Sequence, residues 1–396
     1  MAGPFGILSR LAFFAAFVSW SFPYWEGRYT ALSLIFKNKP ENLQEVNAFS
    51  TSSLKFAGKL RNCEDGIIIE EDSFAILSCD PGRDLWNTVM GTFHPKREVI
   101  PNGKLWIYRY DVSEDSDEAI VPIEFADYPE PFSFHPLGVE YHRDTSTLFV
   151  CNHHIEGSRV DIFTLDLSIS DKPVATHART IIHPLIPTPN SIIALSGTEF
   201  YVTNDHFILR KNWAPLALIE TYGGIPGGTV AYVNLATEPI KVKSVATGPF
   251  VNGITLVNET TVAVAVTAAA QVRLYKRSED NTLEQVGAIK TPFMPDNLST
   301  EKDGSILIAG HPHPPSLDKL VHARRECIDA DGVVPEECWK STAPSWVARW
   351  TEEKGLENLY VSKGEFGSSA TAAKDAKQNV GIVTGLYESG ILVWRE

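Results

Sequence analysis

Short apolar segments recur along the chain, and each begins after a polar turn and ends among small or polar residues. Six segments share this pattern: residues 73–80 (SFAILSCD), 147–154 (TLFVCNHH), 199–207 (EFYVTNDHF), 261–269 (TVAVAVTAA), 305–313 (SILIAGHPH) and 379–387 (NVGIVTGLY). Their starts are about 40 to 75 residues apart, which is typical of the blades of a β-propeller. We interpret the six segments as the inner strands of six similar sheets.

A second group of six segments alternates apolar and polar residues, as strands with one buried and one wetter side do. These segments are residues 105–112 (LWIYRYDV), 160–167 (VDIFTLDL), 229–235 (TVAYVNL), 272–277 (VRLYKR), 346–353 (WVARWTEE) and 391–396 (ILVWRE). Because each of them follows one of the apolar segments, the two groups together predict an all-β fold, a six-bladed β-propeller over residues 60–396.

The N-terminal residues follow a different pattern. Residues 11–22 (LAFFAAFVSWSF, from Leu11 to Phe22) form an apolar stretch behind Arg10. Its length is that of a signal-peptide core and is short for a helix that spans a bilayer. We therefore predict a signal peptide or signal-anchor at residues 1–25, with its cleavage left open, and a connecting arm at residues 26–59.

This N-terminus predicts a protein of the secretory pathway, either secreted or membrane-anchored and facing the lumen or exterior. Membrane association would then occur through residues 11–22. The sequence Asn258-Glu259-Thr260 is an N-glycosylation sequon on a turn before an apolar segment. It is a further indication of a secreted glycoprotein.

The net charge limits the possible binding partners, and the cysteines indicate the redox compartment. The formal net charge of −14 argues against nucleic acid and fits solubility or cation binding. Cys327 and Cys338 flank a polar loop that a local disulfide would stabilise in an oxidising compartment. Cys63, Cys79 and Cys151 lie in or beside apolar segments, and we interpret them as buried thiols. The chain has no C-x-x-C pair, so nothing in the sequence supports a zinc site.

Oxygen-bearing side chains stand just before the predicted inner strands, where a propeller chain reaches its central tunnel. Six positions correspond, and four of them carry a carboxylate or an amide: Glu64-Asp65, Asn190-Ser191, Asn252-Gly253 and Asp296-Asn297, whereas Leu137-Gly138 and Ser368-Ser369 do not. A hard cation such as calcium binds carboxylate, amide and carbonyl oxygens of this kind. A single Asn, Asp or Ser before a strand is ordinarily a turn residue. Their recurrence favours a cation site on the tunnel axis.

Seven short motifs follow one another along most of the chain. They are NCEDGI (residues 62–67), FHPLGV (134–139), VCNH (150–153), PNSI (189–192), YVTNDH (201–206), VNGI (251–254) and PDNL (295–298). In this order they resemble the motifs of the serum paraoxonase/arylesterase family. The resemblance implies a six-bladed propeller with two calcium ions in its tunnel, one catalytic and one structural.

The same resemblance implies the ligands of both ions. The catalytic calcium would be bound by Glu64, Asn190, Asn252, Asp296 and Asn297. The structural calcium would be bound by Asp65 and the backbone carbonyl of Val139, but Ser191 stands where the family has an aspartate. Losing one of two charges weakens a site for a dication, so the second ion is expected to be weak or absent.

The activity implied by the resemblance is calcium-dependent hydrolysis of lactones or aryl esters, with a small apolar ester or lactone as the substrate. Calcium in the tunnel would polarise the substrate carbonyl. His153 matches one member of the family's histidine dyad, whereas Leu137 replaces the other. Glu64 or Asp296 is therefore predicted to deprotonate water, with His153 assisting. For His206 and His311, which follow two apolar segments, a structural role is preferred.

Two alternatives remain open at this point. The first is a non-catalytic, calcium-stabilised propeller that binds a ligand or protein partner, because fold alone does not decide function. The replaced dyad histidine favours it, whereas the complete set of five ligands favours the enzyme. The second is an enzyme similar to gluconolactonase or strictosidine synthase. A serine hydrolase is not supported, because no G-x-S-x-G motif is present.

Overall fold

The computed structural model describes residues 4–112, 116–129, 132–169, 171–328, 335, 338 and 340–396, without the side chains of residues 4–17, 20 and 117. The described residues form six sheets of four or five strands, arranged as the blades of a β-propeller, and one separate two-stranded hairpin. The chain begins with helix α1 (Pro4–Lys37) and the edge strands β1 (Val46–Asn47) and β2 (Thr51–Lys55).

The first three blades follow in chain order. The first region contains β3 (Cys63–Ile69), β4 (Phe74–Cys79), the hairpin β5 (Trp86–Asn87) and β6 (Thr92–Phe93), then β7 (Lys104–Arg109) and β8 (Ile120–Pro122); β3, β4, β7 and β8 form blade 1. Blade 2 contains β9 (Glu124–Ala126), β10 (Pro136–His142), β11 (Thr147–Asn152), β12 (Arg159–Asp166) and β13 (Val174–Ile181). Blade 3 contains β14 (Pro189–Ala194), β15 (Glu199–Asn204), β16 (Gly228–Asn234) and β17 (Lys241–Gly248), with helix α2 (Arg210–Gly223) inserted after β15.

The other three blades complete the ring. Blade 4 contains β18 (Val251–Asn258), β19 (Thr261–Val266), β20 (Gln271–Arg277) and β21 (Leu283–Lys290). Blade 5 contains β22 (Met294–Thr300), β23 (Ile306–His311), β24 (Ser345–Thr351) and β25 (Gly355–Ser362), with helix α3 (Pro314–Cys327) after β23 and β1 at its edge. Blade 6 contains β26 (Ser369–Asp375), β27 (Val380–Gly385) and β28 (Ile391–Arg395), with β2 at its edge.

The six apolar segments are the second strand of each blade, so their prediction as inner strands is wrong. The strands concerned are β4, β11, β15, β19, β23 and β27. Every residue of β4, β23 and β27 is buried, because a second strand has neighbouring blades against both faces. The innermost strands are instead β3, β10, β14, β18, β22 and β26, which contact one another around the tunnel. They carry polar residues and are therefore less apolar in sequence.

The N-terminal strands complete the propeller. Residues 26–59 are assigned by their sequence to a connecting arm, but β1 pairs with β25 and β2 pairs with β28 in antiparallel register. Hydrogen bonds between β2 and β28 thus join the N-terminal and C-terminal parts of the chain within blade 6. Helix α1 also runs through the predicted boundary at residue 25 without interruption.

The structure contains two disulfides among the described residues, and the sequence predicts one of them. Cys327 and Cys338 form the local disulfide after α3. Cys63 and Cys79, predicted as buried thiols, form a second disulfide, because the register of β3 and β4 places them directly opposite each other. Cys151 is a buried free thiol, as predicted.

Candidate functional site

The innermost strand of every blade has an irregular register at one level of the tunnel. The shifts occur around residues 64, 137–138, 190–191, 252–253, 296–297 and 370–371. A β-bulge redirects side chains locally, which explains how adjacent residues of one strand both reach the tunnel. In blade 6 this position belongs to Ala370 and Thr371, two residues beyond the predicted Ser368-Ser369.

The structure brings the five predicted calcium ligands together. Each of Glu64, Asn190, Asn252, Asp296 and Asn297 is at most 5% exposed. The amide Nδ2 of Asn297 donates to Oε1 of Glu64 at 3.0 Å, and Nδ2 of Asn252 donates to Oδ1 of Asp296 at 2.5 Å. Asn190 lies against the same cavity as Glu64, Asn252 and Asp296. Residues from four different blades therefore meet at one point of the tunnel.

Four buried oxygens of this group have no hydrogen-bond partner among the described residues. They are Oε2 of Glu64 and the Oδ1 atoms of Asn190, Asn252 and Asn297. An unsatisfied buried polar atom costs about 1–3 kcal/mol, so four of them in one place require an explanation. One carboxylate oxygen and three amide oxygens, next to the Asp296 carboxylate, form a donor set that suits a hard cation.

Within the described part of the chain, no cluster of three or more His, Cys, Asp or Glu side chains could hold a metal ion. The group around Glu64 has two carboxylates, and its other donors are amides. Burial raises the pKa of Glu64 well above its ordinary value, and the carboxylates of Asp65 and Asp296 raise it further. The Arg83 guanidinium and the hydrogen bond from Asn297 oppose this shift. A cation among these oxygens would favour the ionised carboxylate.

The predicted structural ion does not fit the residues around Asp65. Oδ1 of Asp65 accepts hydrogen bonds from the backbone N–H of Gly66 at 2.8 Å and from the Thr371 hydroxyl at 3.0 Å. Its Oδ2 accepts one from the backbone N–H of Val139 at 2.9 Å. Val139 therefore turns its N–H toward Asp65, where the prediction expects its carbonyl. Because protein donors already satisfy this carboxylate, we derive no second ion here.

His153 is buried and bonded through both ring nitrogens. Its Nε2 lies 2.7 Å from the carbonyl oxygen of Pro189, and its Nδ1 lies 2.5 Å from the Thr88 hydroxyl. A carbonyl only accepts, so Nε2 carries the proton and Nδ1 accepts from Thr88. Burial lowers the pKa of His153, which keeps the ring neutral. The ring thus fixes the residue before Asn190, and its catalytic role stays a prediction.

His311 has the free nitrogen that His153 lacks. Its Nε2 lies 2.9 Å from Oδ2 of Asp296, while its buried Nδ1 has no partner among the described residues. The ring lies in the cavity wall. The sequence shows His311 only as a histidine after an apolar segment, with no indication of its contact with Asp296. His206, by contrast, is bonded through both nitrogens, to Asp205 and to the Thr221 hydroxyl.

The site opens into a cavity of about 120 Å³ above the tunnel. One ordered water needs about 10–15 Å³ on this measure, so the cavity can hold a small organic molecule. Helices α1, α2 and α3 supply much of its wall, through residues such as Leu32, Ile35, Leu218 and Leu317. Leu137 also lies in the wall, at the position where the family resemblance places a histidine.

Comparison with known proteins identifies the family of the chain. The sequence model of the family described as Arylesterase matches residues 93–325. The chain belongs to this family. The match includes Asn190, Asn252, Asp296 and Asn297 and begins after Glu64.

Individual members of the family match this chain at about 30% identity over part of its length. The chain is 32% identical to serum paraoxonase/arylesterase 2 of Canis lupus familiaris over 47% of its own length and 51% of the relative. It is 28% identical to serum paraoxonase/lactonase 3 of Oryctolagus cuniculus over 71% of its own length and 75% of the relative. The chain thus spans about half the length of the first of these curated relatives. Among solved structures, a luciferin-regenerating enzyme aligns with a TM-score of 0.49 at 12% identity, covering 87% of this chain and 96% of that one.

Proposed function

We propose that this arylesterase-family propeller is a calcium-dependent hydrolase of lactones or aryl esters. The observation that carries the proposal is the group of four unpartnered buried oxygens of Glu64, Asn190, Asn252 and Asn297 beside Asp296. These five side chains would hold the ion. When bound, calcium would polarise the substrate carbonyl and stabilise the negative charge that develops on its oxygen. Turnover of phenyl acetate and of an aliphatic lactone, each with and without a calcium chelator, tests the proposal.

The chain's own residues supply a candidate proton acceptor. His311 donates its Nε2 proton to Asp296, which fixes the tautomer and leaves the lone pair of Nδ1 without a hydrogen-bond donor among the described residues. A neutral imidazole in this arrangement can accept a proton from a water molecule. The sequence favours Glu64 or Asp296 for this step with help from His153. In the proposed mechanism Asp296 orients His311, and Glu64 serves as a ligand.

Apolar side chains form part of the cavity wall and limit which substrates can bind there. Leu137, Phe250 and Met294 form apolar wall around the polar floor. Such a wall holds the apolar part of an ester and keeps water from the rest of the cavity. The proposed substrate is therefore a small ester or lactone with a substantial apolar part.

We expect His311→Gln to lower kcat about 100-fold, the lower end of what a general base contributes, with a small effect on KM. His153→Gln is the matched comparison, because the same substitution there only weakens the support behind Asn190. Steady-state kinetics on phenyl acetate, with melting curves for both variants, measure the difference. A His311→Gln variant that keeps full activity while His153→Gln loses it would assign the proton transfer to His153 instead.

One observation favours a non-catalytic function, namely that Leu137 replaces one histidine of the family's dyad. A propeller that binds calcium and a ligand without turnover would keep the metal-dependent stability but show no hydrolysis of either substrate class. The gluconolactonase-like alternative would hydrolyse sugar lactones and leave aryl esters intact. Testing phenyl acetate, an aliphatic lactone and a sugar lactone in one series distinguishes all three functions.

We also propose a secretory, membrane-associated location for this protein. Among the described residues, no helix has the length and apolar character needed to cross a membrane. Large apolar side chains are nevertheless exposed along α1 and around α2, among them Phe22, Trp25, Tyr29, Phe36, Phe207, Trp213 and Ile219. An apolar surface of this kind beside a cavity mouth suits adsorption to the interfacial region of a lipid bilayer.

This location predicts that the full chain sediments with phosphatidylcholine vesicles. Replacing Trp25, Tyr29 and Trp213 together by serine should reduce the bound fraction several-fold, because exposed aromatic side chains favour the membrane interface. Ile182→Ser is the matched control, since Ile182 is 69% exposed on another part of the propeller. Equal sedimentation of the triple variant and the control would argue against adsorption through this surface.

A further inference from the structure

Two arginines in the cavity wall form no salt bridge with a carboxylate among the described residues. Arg28, on α1, is 8% exposed, and Arg83, in the turn after β4, is 2% exposed. Arg28 donates from Nη1 to the carbonyl of Ala268, and Arg83 donates from Nη2 to the carbonyl of Pro136 at 2.9 Å. In both side chains the buried Nε–H has no hydrogen-bond partner within the described chain.

An unpaired buried cation is costly, and proteins ordinarily pair such groups. Burial lowers the pKa of Arg28, which reflects this cost. The third arginine of the wall, Arg210, is different, because its guanidinium lies 3.5 Å from the Asp318 carboxylate and donates to the carbonyl of Val89. The Nε–H groups of Arg28 and Arg83 thus remain without a hydrogen-bond partner among the described residues.

The charge of the cavity points to an anion. The charged side chains in its described wall are three arginines and three carboxylates: Arg28, Arg83, Arg210, Glu64, Asp296 and Asp318. These charges cancel, so a divalent cation bound at the proposed site leaves an excess of two positive charges. This excess lies inside a protein whose formal net charge is −14. A site of this kind discriminates in favour of a negatively charged ligand.

We infer that the cavity binds an ester or lactone that carries a carboxylate away from its scissile bond. Arg28 and Arg83 bind this carboxylate, while the apolar wall around Leu137 and Phe250 holds the body of the substrate. A guanidinium presents a fork of N–H donors that matches the two oxygens of a carboxylate. The inference rests on the proposed hydrolase function and narrows its substrate class from apolar to amphipathic.

The first test compares two aryl esters of nearly the same shape, para-acetoxybenzoate and the neutral para-acetoxybenzamide. Wild-type protein should hydrolyse the carboxylate with the higher kcat/KM. Arg28→Gln and Arg83→Gln should each lower kcat/KM for the carboxylate by roughly 10- to 100-fold, mainly through KM, because each removes a charge-assisted hydrogen bond. Each should lower kcat/KM for the amide far less, so the ratio of the two kcat/KM values should fall in both variants. Arg143→Gln, at an exposed arginine paired with Asp72, is the matched control.

The second test measures binding without turnover. Titration calorimetry with para-hydroxybenzoate and para-hydroxybenzamide should show a preference for the carboxylate that either glutamine variant reduces and Arg83→Lys partly restores. If the protein hydrolyses neither ester but shows this preference, the proposed function fails and the inference stands. If both esters are hydrolysed equally well and the arginine variants treat them alike, the inference is overturned and the hydrolase function stands. Carboxylate binding that survives both arginine variants and disappears with chelator would place the anion on the metal, which also overturns it.

Discussion

Glu64→Gln and Asp296→Asn should each abolish calcium-dependent hydrolysis, with a fall in kcat/KM of about 1,000-fold or more. Each substitution removes one of only two carboxylates among the five proposed ligands. The other three ligands are neutral amides, which cannot hold a dication tightly without that charge. Asp296→Asn additionally removes the acceptor that orients His311. Calcium titration by calorimetry, together with kinetics on phenyl acetate, measures both losses.

The melting temperature gives an independent measure of the same site. An ion that binds only the native state stabilises it by mass action, so a chelator should lower the melting temperature of the wild-type protein. Glu64→Gln should remove this response. In the presence of chelator the variant should be no less stable than the wild type, since it no longer buries a charge without a counter-ion.

Glu140→Gln is the control for both measurements. Glu140 is another carboxylate of the tunnel, at the end away from the cavity, where it accepts a hydrogen bond from the Ala194 N–H at 3.3 Å. Burial raises its pKa to about 8. Its substitution should leave calcium affinity and hydrolysis unchanged. Full activity of Glu64→Gln, or wild-type activity that is indifferent to chelation, would contradict the mechanism.

The six-bladed architecture could be predicted because burial leaves a direct pattern in the sequence. A strand such as β4 or β23, covered on both faces, must be largely apolar, and the chain repeats such strands six times. The same pattern could not predict that these strands are the second strand of each blade and not the innermost one. The innermost strands mix apolar residues with Glu64, Asn190 or Asp296, so their sequences resemble turns. Only the pairing of strands shows that they line the tunnel.

The sequence indicates the proposed ligands but not the proposed proton acceptor, for a related physical reason. The proposed ligands stand at equivalent points of four blades, so the recurrence of oxygen donors is visible in the sequence, and the family resemblance implies which of them would bind the ion. The proposed role of His311 depends on one contact with Asp296, between the second and first strands of blade 5, and that contact depends on register. The position of Thr371 at the tunnel could not be predicted for a similar reason, because the bulge in blade 6 lies two residues beyond the position that the sequence indicates.

The N-terminal helix is where sequence interpretation diverges most from the structure. The apolar character of residues 11–22 predicts a targeting or anchoring segment, which concerns location alone. Beyond that stretch, α1 packs on the turn Thr267–Ala269 and brings Arg28, Leu32 and Ile35 into the cavity wall. One helix thus connects the exposed apolar surface to the candidate site. No periodicity in the sequence indicates this, because the contacts are with residues more than 200 positions away.

Replacing Cys63 and Cys79 together by serine should lower the free energy of unfolding by about 3 kcal/mol, the value expected for a closed loop of about 15 residues. The two cysteines are 16 positions apart and link β3 to β4. The register of β3 shifts between Cys63 and Asp65, so the disulfide fixes the strand next to Glu64. Calcium affinity should therefore fall together with stability, because Glu64 loses part of its fixed position. Urea unfolding with calcium and with chelator measures both effects.

The second disulfide provides the comparison that separates stability from site geometry. Cys327 and Cys338 are 11 positions apart and close the loop after α3, which supplies none of the five proposed ligands. Serine at both positions should destabilise the fold by a similar amount, about 2–3 kcal/mol, and leave the calcium-dependent part of the stability intact. If the Cys63 and Cys79 variant kept the full calcium response, the disulfide would act on the unfolded chain alone. The precise placement of Glu64 would then come from its hydrogen bond with Asn297 and from the packing of blade 1 against blade 6.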